Sequence, residues 1–131
     1  MENIELKNSK TDAVDAIIAW LDERINETEK ELLRASAGED GSSWLADREY
    51  LQAYRNARSH MTILRGTDEC TVRHLAEWCG TRKKEAENSL QRLLESNIPY
   101  GDDSITCADS RRFAYQTIID RCEEEDKEVR K

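Results

Sequence analysis

Residues 71–97, TVRHLAEWCGTRKKEAENSLQRLLESN, carry the pattern on which the predicted fold depends. Thr71 suits the N-cap of a helix, and apolar residues follow it at helical spacing. Gly80 comes directly after that run, at a place where a left-handed residue commonly ends a helix. A second helix is then predicted over 81–96, with Asn97 as a left-handed residue just past its end. The stretch therefore predicts two helices joined by a turn at Gly80.

This pattern resembles the winged helix-turn-helix superfamily, which is found in many small bacterial and archaeal regulators. The resemblance covers residues 71 to about 107. It lies in LAEWCG (75–80), in the spacing of three apolar residues after Gly80, and in a hydrophobic residue that would enter a β-ribbon. These residues are Ala86, Leu90, Leu93 and Ile98. The superfamily also serves as a protein-binding and dimerisation module, so the resemblance implies a fold more directly than a function.

Residues 98–107 predict a short β-ribbon, because side chains alternate around the turn GDDS. The alternating residues are Ile98, Tyr100, Ile105 and Cys107. In the winged superfamily this ribbon would be the wing. Its tip carries Asp102 and Asp103, where DNA-binding members usually carry cations, so any DNA contact is expected to lack a wing component. A last helix is predicted to begin after Asp109 or Ser110.

The first half of the chain predicts two helices with apolar seams of the coiled-coil type. The first seam starts beyond Thr11 and alternates steps of four and three residues: Val14, Ile18, Leu21, Ile25, Thr28, Leu32 and Ala35. The second runs to about Leu64 with the same steps: Tyr50, Tyr54, Ala57, Met61 and Leu64. A polar segment at 37–43 separates the helices. Helices of similar length joined by a short loop usually lie antiparallel.

The predicted fold class is therefore mainly α, with an N-terminal antiparallel αα-hairpin and a winged helix-turn-helix-like unit that ends in a β-ribbon and a C-terminal helix. Residues 1–66 are assigned to the helical hairpin and 67–131 to the winged unit. The hairpin buries little when alone, so we expect it to form a homodimer. The expected interface residues are Trp20, Tyr50, Tyr54 and Met61.

The resemblance implies that the helix over 81–96 is a recognition helix lying in the major groove of DNA. Arg82, Lys83 and Lys84 would then reach phosphates or guanine edges, and Asn88 and Gln91 would pair with adenine. Cations at a helix N-terminus oppose the helix dipole by about 0.3–1 kcal/mol each, so their clustering indicates an anionic partner. The first expected function is thus a dimeric DNA-binding transcriptional regulator.

The charge of the chain supports a second expected function. The net charge is −8, and residues 1–42 carry 11 acidic side chains against 5 basic ones. This acidity argues against a non-specific nucleic-acid coat. The alternative is therefore a non-enzymatic factor of phage or mobile-element type that binds a host protein, in which the winged fold is a scaffold and the acidic hairpin could mimic DNA.

Other classes of function find little support in the sequence. It contains no Gly-rich phosphate loop, no HExxH motif and no nucleophile elbow, so we expect no enzyme activity and no cofactor. The N-terminus lacks a signal peptide and no stretch is apolar enough to span a bilayer, which predicts a cytoplasmic protein that does not enter the membrane. The four cysteines are expected to be thiols because the cytoplasm is reducing, and to hold no metal because none forms a C-x-x-C pair.

Overall fold

Four helices account for most of the described residues. The computed structural model describes residues 2–36, 44–99 and 102–130. Within these ranges lie α1 (Glu2–Ser36), α2 (Trp44–Leu64), α3 (Val72–Glu95) and α4 (Asp103–Arg130). None of the described residues forms a β-strand. The mainly α character of the fold is confirmed, and α2 ends at the predicted residue. α1 begins well before its predicted start, because a helix extends readily through a polar segment once its first turn exists.

The predicted β-ribbon is wrong, and most of its second half belongs to α4. Asp102 caps this helix, since its Oδ1 accepts a hydrogen bond of 2.9 Å from the backbone N–H of Ser104. Ile105 and Ala108, three positions apart, are buried on one face of the helix. An alternation over so few residues fits a helix as well as a strand. Burial of Ile105 and Ala108 on one face of a helix favoured the helical conformation. Tyr100 lies outside the described residues.

The predicted turn at Gly80 is also wrong, because α3 runs through this residue without interruption. Gly66, in the connection between α2 and α3, is the described glycine with a left-handed φ, +84°. A glycine inside a helix costs about 1 kcal/mol relative to alanine. Burial of Cys79 and Ala86 on either side of Gly80 offsets this cost. The two features that define a winged helix-turn-helix are thus missing from residues 72–99 and 102–130.

Two other local predictions are confirmed at the ends of α3. Thr71 is the N-cap, and its side chain accepts a hydrogen bond of 3.1 Å from the backbone N–H of His74. Asn97 has a left-handed φ of 58° just beyond the last turn. Caps are set by neighbouring residues, which is why the sequence predicts them well.

Ion pairs and ring contacts define how the helices run. Arg58 pairs with Asp22 at 2.9 Å, and Arg55 pairs with Glu29 at 2.8 Å. Because the numbers on α2 fall as those on α1 rise, these two helices are antiparallel. α3 and α4 are also antiparallel, and they form the most extensive helix pair in the fold. α2 and α4 run in the same direction, as the neighbouring pairs Arg48–Cys107 and Tyr50–Phe113 show.

One hydrophobic core joins all four helices, so residues 1–66 and 67–131 share it. Its largest fully buried side chains are Ile17, Leu21, Met61, Leu75, Cys79, Ile118 and Cys122. Each buried aliphatic side chain contributes about 1.5–3 kcal/mol of transfer free energy. Burial also raises the pKa of the Cys122 thiol to about 12 and that of Cys79 still further. Both cysteines are therefore neutral, unreactive core residues.

Candidate anion-binding cleft

The residues predicted to bind nucleic acid lie on different sides of α3. Three consecutive residues of a helix point about 100° apart, so Arg82, Lys83 and Lys84 cannot act as one cluster. Lys84, Asn88 and Gln91 follow one another at spacings of four and three and are all exposed. We call these three residues the outer stripe. Lys83 is half-buried, and Arg82 faces a cleft.

The outer stripe is polar and carries one cation. The Gln91 amide donates a hydrogen bond of 3.1 Å to the carboxylate of Glu95. The backbone carbonyl of Asn88 accepts one of 3.4 Å from the guanidinium of Arg92. The side-chain amides of Asn and Gln have the donor and acceptor geometry that pairs with an adenine edge. The stripe therefore has the chemistry for base contacts, although Glu87 and Glu95 beside it reduce its positive charge.

Arginines from two helices line a cleft of about 490 Å³ between α2, α3 and α4. Its lining residues are Asn56, Arg82, Glu85, Ala86, Asn88, Ser89, Arg92, Arg111 and Tyr115. Three of these side chains are cationic and one is anionic. The cleft is thus a local site of positive charge on a protein whose net charge is −8.

Helical spacing explains how α3 forms one wall of this cleft. Arg82, Ala86, Ser89 and Arg92 follow at steps of four, three and three, so they share one face. The rise of a helix places the Cα atoms of Arg82 and Arg92 about 15 Å apart. Ala86 is only 2% exposed, and its small side chain leaves room at the bottom of the cleft. The opposite wall comes from α4.

The arginines of the cleft retain hydrogen-bonding capacity. Arg82 pairs with Glu85 at 3.3 Å, and Arg111 pairs with Glu49 at 3.3 Å. Arg92 makes no ion pair with the described residues. Each guanidinium has five N–H donors, and a partly exposed ion pair is worth about 0–1 kcal/mol, so an anion can compete for these groups. The Nε atom of Arg82 is buried and lacks a hydrogen-bond partner in the described structure.

Tyr115 lies between two of the arginines. Burial raises the pKa of its hydroxyl, and a hydrogen bond from Asn56 together with the charges of Arg82 and Arg111 acts in the opposite direction. Both arginines and Tyr115 line the same cleft, so the positive charges act on this phenol from within the site. The Tyr115 hydroxyl and the Asn56 amide are therefore polar groups held beside two cations.

A series of stacked rings fixes one end of the cleft. His60 lies parallel to Trp78 with ring centroids 4.4 Å apart, and Trp78 meets Tyr115 edge-on at 6.0 Å. The guanidinium carbon of Arg82 lies 5.5 Å from the centre of the Trp78 ring. This cation–π contact orients the arginine towards the wall of the cleft. The rings of His60, His74 and Trp78 form one stack at this end of the cleft.

Sequence reasoning found Arg82 and Asn88 but missed the rest of the cleft. Arg92 could have been found, because it lies on the helical face of Arg82 and Ser89. Arg111 and Asn56 could not, since they come from other helices and reach the cleft only through the packing of α2 and α4 against α3. Of the five predicted residues, Lys84 and Gln91 therefore belong to the outer stripe, Arg82 to the cleft, Asn88 to both and Lys83 to neither.

The four residues predicted to form a dimer interface contribute to the fold of a single chain. Tyr54 and Met61 are buried, and Trp20 and Tyr50 are half-buried against the same core. Trp20 meets Tyr54 edge-on at 6.0 Å, and Tyr50 lies 5.8 Å from the exposed ring of Phe113. Tyr54 and Met61 thus offer little surface to a second copy. Homodimer formation stays a prediction.

The described residues contain no group of three or more His, Cys, Asp or Glu side chains placed to hold a metal ion. Nor does any described helix combine the length and the apolar composition needed to cross a bilayer. Comparison with protein-family models, with curated proteins and with solved structures gave no match. Across residues 2–36, 44–99 and 102–130 the protein has an all-α fold of four helices with an arginine-lined cleft.

Proposed function

We propose that this protein is a non-enzymatic, cytoplasmic DNA-binding protein that contacts duplex DNA with the outer stripe of α3. The observation that carries this proposal is the exposure of Lys84, Asn88 and Gln91 along one face of one helix. A convex helix of this kind fits the width of the major groove. Arg92 lies next to the stripe and is available for a phosphate. Neither a turn nor a wing is part of the proposal.

The small number of cations near the outer stripe predicts a weak dependence of this binding on salt. A body of net charge −8 repels DNA, and only a few cations near the stripe oppose that repulsion. Each phosphate contact contributes about 0.9 to the slope of log affinity against log salt concentration. The expected slope is therefore small, about −2 for two contacts made by Lys84 and Arg92.

Fluorescence anisotropy with a labelled duplex from the region upstream of the coding sequence tests the proposal at about 50 mM salt. The variant Lys84→Gln should weaken binding and reduce the slope by about 0.9. Asn88→Ala should instead relax base preference, at a cost of about 1–3 kcal/mol for the preferred duplex. Lys30→Gln is the matched control, because Lys30 is an exposed cation on α1 and not on α3. Equal losses for Lys84→Gln and Lys30→Gln would refute the proposal.

A protein partner is the second candidate, and exposed apolar side chains favour it. Leu33 on α1 and Ile63 on α2 are 71% and 77% exposed. Contact with a second protein would remove this apolar surface from water. If the partner is a second copy of the chain, sedimentation at tens of micromolar should show a dimer, and Ile63→Ser should shift it towards the monomer. A wild-type monomer in that experiment would reject self-association.

A further inference from the structure

We infer that the cleft between α2, α3 and α4 is a second binding site, which takes a phosphate monoester with an organic group of about nucleotide size. This inference does not depend on DNA binding by the outer stripe. The cleft borders the outer stripe and shares Asn88 with it, whereas Lys84 and Gln91 do not line the cleft. A volume of about 490 Å³ lies within the range of small-molecule sites.

The charge of the cleft matches a phosphate dianion. Arg82, Arg92 and Arg111 contribute three positive charges, and Glu85 contributes one negative charge. A guanidinium binds phosphate oxygens through two parallel N–H groups, which gives both attraction and orientation. Arg82, Arg111 and Tyr115 line the same cleft, and the charges of both arginines act on the Tyr115 hydroxyl. The phosphate is therefore expected at a point between these two arginines, beside that hydroxyl.

Neutral polar groups complete the site around that point. Tyr115 has a hydroxyl, Ser89 a hydroxyl and Asn56 an amide, and all three line the cleft. The side-chain Oδ1 of Asn56 accepts a hydrogen bond of 3.1 Å from the Gln52 side-chain amide. This bond orients the NH₂ group of Asn56 as a donor. These donors fit an oxygen-rich anion better than an apolar ligand.

The aromatic residues of this region leave little accessible ring surface on which a ligand could stack. Tyr115 is only 5% exposed, and one face of the Trp78 ring is covered by His60. Recognition is therefore expected to depend on the phosphate, with the remainder of the ligand held weakly. A free nucleotide and the terminal phosphate of a nucleic-acid strand both present this chemistry.

Isothermal titration at about 50 mM salt tests the inference with inorganic phosphate, adenosine 5′-monophosphate and adenosine. Both phosphate compounds should bind, and adenosine should not. Arg111→Gln should weaken binding of the monophosphate about tenfold or more, because it removes charged hydrogen bonds. Arg112→Gln is the matched control: Arg112 is the next residue of α4, it pairs with Asp109 at 2.6 Å, and it does not line the cleft. Arg92→Gln, which changes an exposed side chain, is a second variant in case Arg111→Gln unfolds.

A 5′-phosphorylated oligonucleotide and the same oligonucleotide without the phosphate separate the two sources of the ligand. Preference for the phosphorylated strand over the free monophosphate would identify a strand end, and the reverse would identify a nucleotide. Lys84→Gln should leave monophosphate binding unchanged while it weakens DNA binding. A wild-type protein that binds adenosine 5′-monophosphate but no duplex DNA would reject the proposed function and keep this site. Three results would overturn the site: no binding of either phosphate compound at millimolar concentration, equal binding of adenosine, or equal losses in Arg111→Gln and Arg112→Gln.

Discussion

The Nε2 atoms of His60 and His74 lie 3.2 Å apart, which joins the end of α2 to the start of α3. These are the two histidines of the chain. At this distance one ring donates a hydrogen bond and the other accepts it, so at least one imidazole must be neutral. Protonation of both rings would place two N–H donors and two positive charges against each other.

This pair predicts a loss of stability in mild acid. Burial lowers the pKa of His60 below its ordinary value of 6.5, and the nearby charges of His74 and Arg82 lower it further, against a smaller effect of Glu69. A folded-state pKa below the unfolded one means that the unfolded chain binds more protons as the pH falls. The contribution of neutral His60 to the free energy of unfolding is therefore fully present above pH 6.5. It declines as the pH falls from 6.5 through the lower pKa of His60 in the folded state.

Urea unfolding between about pH 5 and 7.5 measures this effect, because most carboxylates titrate below that range. The free energy of unfolding of the wild type should fall towards pH 5, and His60→Gln should flatten the curve. Ser59→Ala, at an exposed neighbouring position, should keep the wild-type slope. An unchanged slope in His60→Gln would show that the histidine pair does not cause the dependence.

Gly80→Ala should stabilise the protein by about 0.5–1 kcal/mol, since alanine is the better residue inside a helix. A Cβ atom at Gly80 would meet no other atom within 4 Å. Gly66→Ala should have the opposite effect, because Gly66 adopts a left-handed φ of +84°. Thermal unfolding of the two variants compares them directly. Destabilisation by Gly80→Ala would contradict a continuous α-helix through this residue.

Asp102→Ala should destabilise α4 by about 0.5–2 kcal/mol, because it removes the cap of that helix. The Asp102 carboxylate accepts a hydrogen bond of 2.9 Å from the backbone of Ser104. Asp102→Asn should retain most of the stability, since an amide oxygen also caps a helix. Chemical denaturation measures both changes. If α4 did not begin here, the two variants would be equally stable.

Leu75→Ala should cost about 2–5 kcal/mol of stability, through lost burial and the cavity left in the core. Leu75 is fully buried in the core shared by the four helices. Leu33→Ala, on a side chain that is 71% exposed, should change stability by less than about 0.5 kcal/mol. Similar values for the two variants would contradict the packing of α3 into the common core.

Local physical chemistry allowed some elements to be predicted and misled the prediction of others. The extent of α2 and the caps at Thr71 and Asn97 depend on neighbouring residues, and they agree with the structure. Gly80 and the alternation at residues 98–107 are also local signals, but each fits two conformations. Burial of residues such as Cys79 and Ile105 decided between the two conformations, and this burial depends on the rest of the fold.

The sequence by itself determined that this protein is mainly helical, because helix propensity and the 3.6-residue period act over a few residues. It also placed Arg82 and Asn88 on one helix. Only the tertiary structure decided that Arg82 and Arg111 would line one cleft, since the packing of α3 on α4 brings together residues distant in sequence. That packing depends on which helical faces can be buried against one another, and all four helices together determine this.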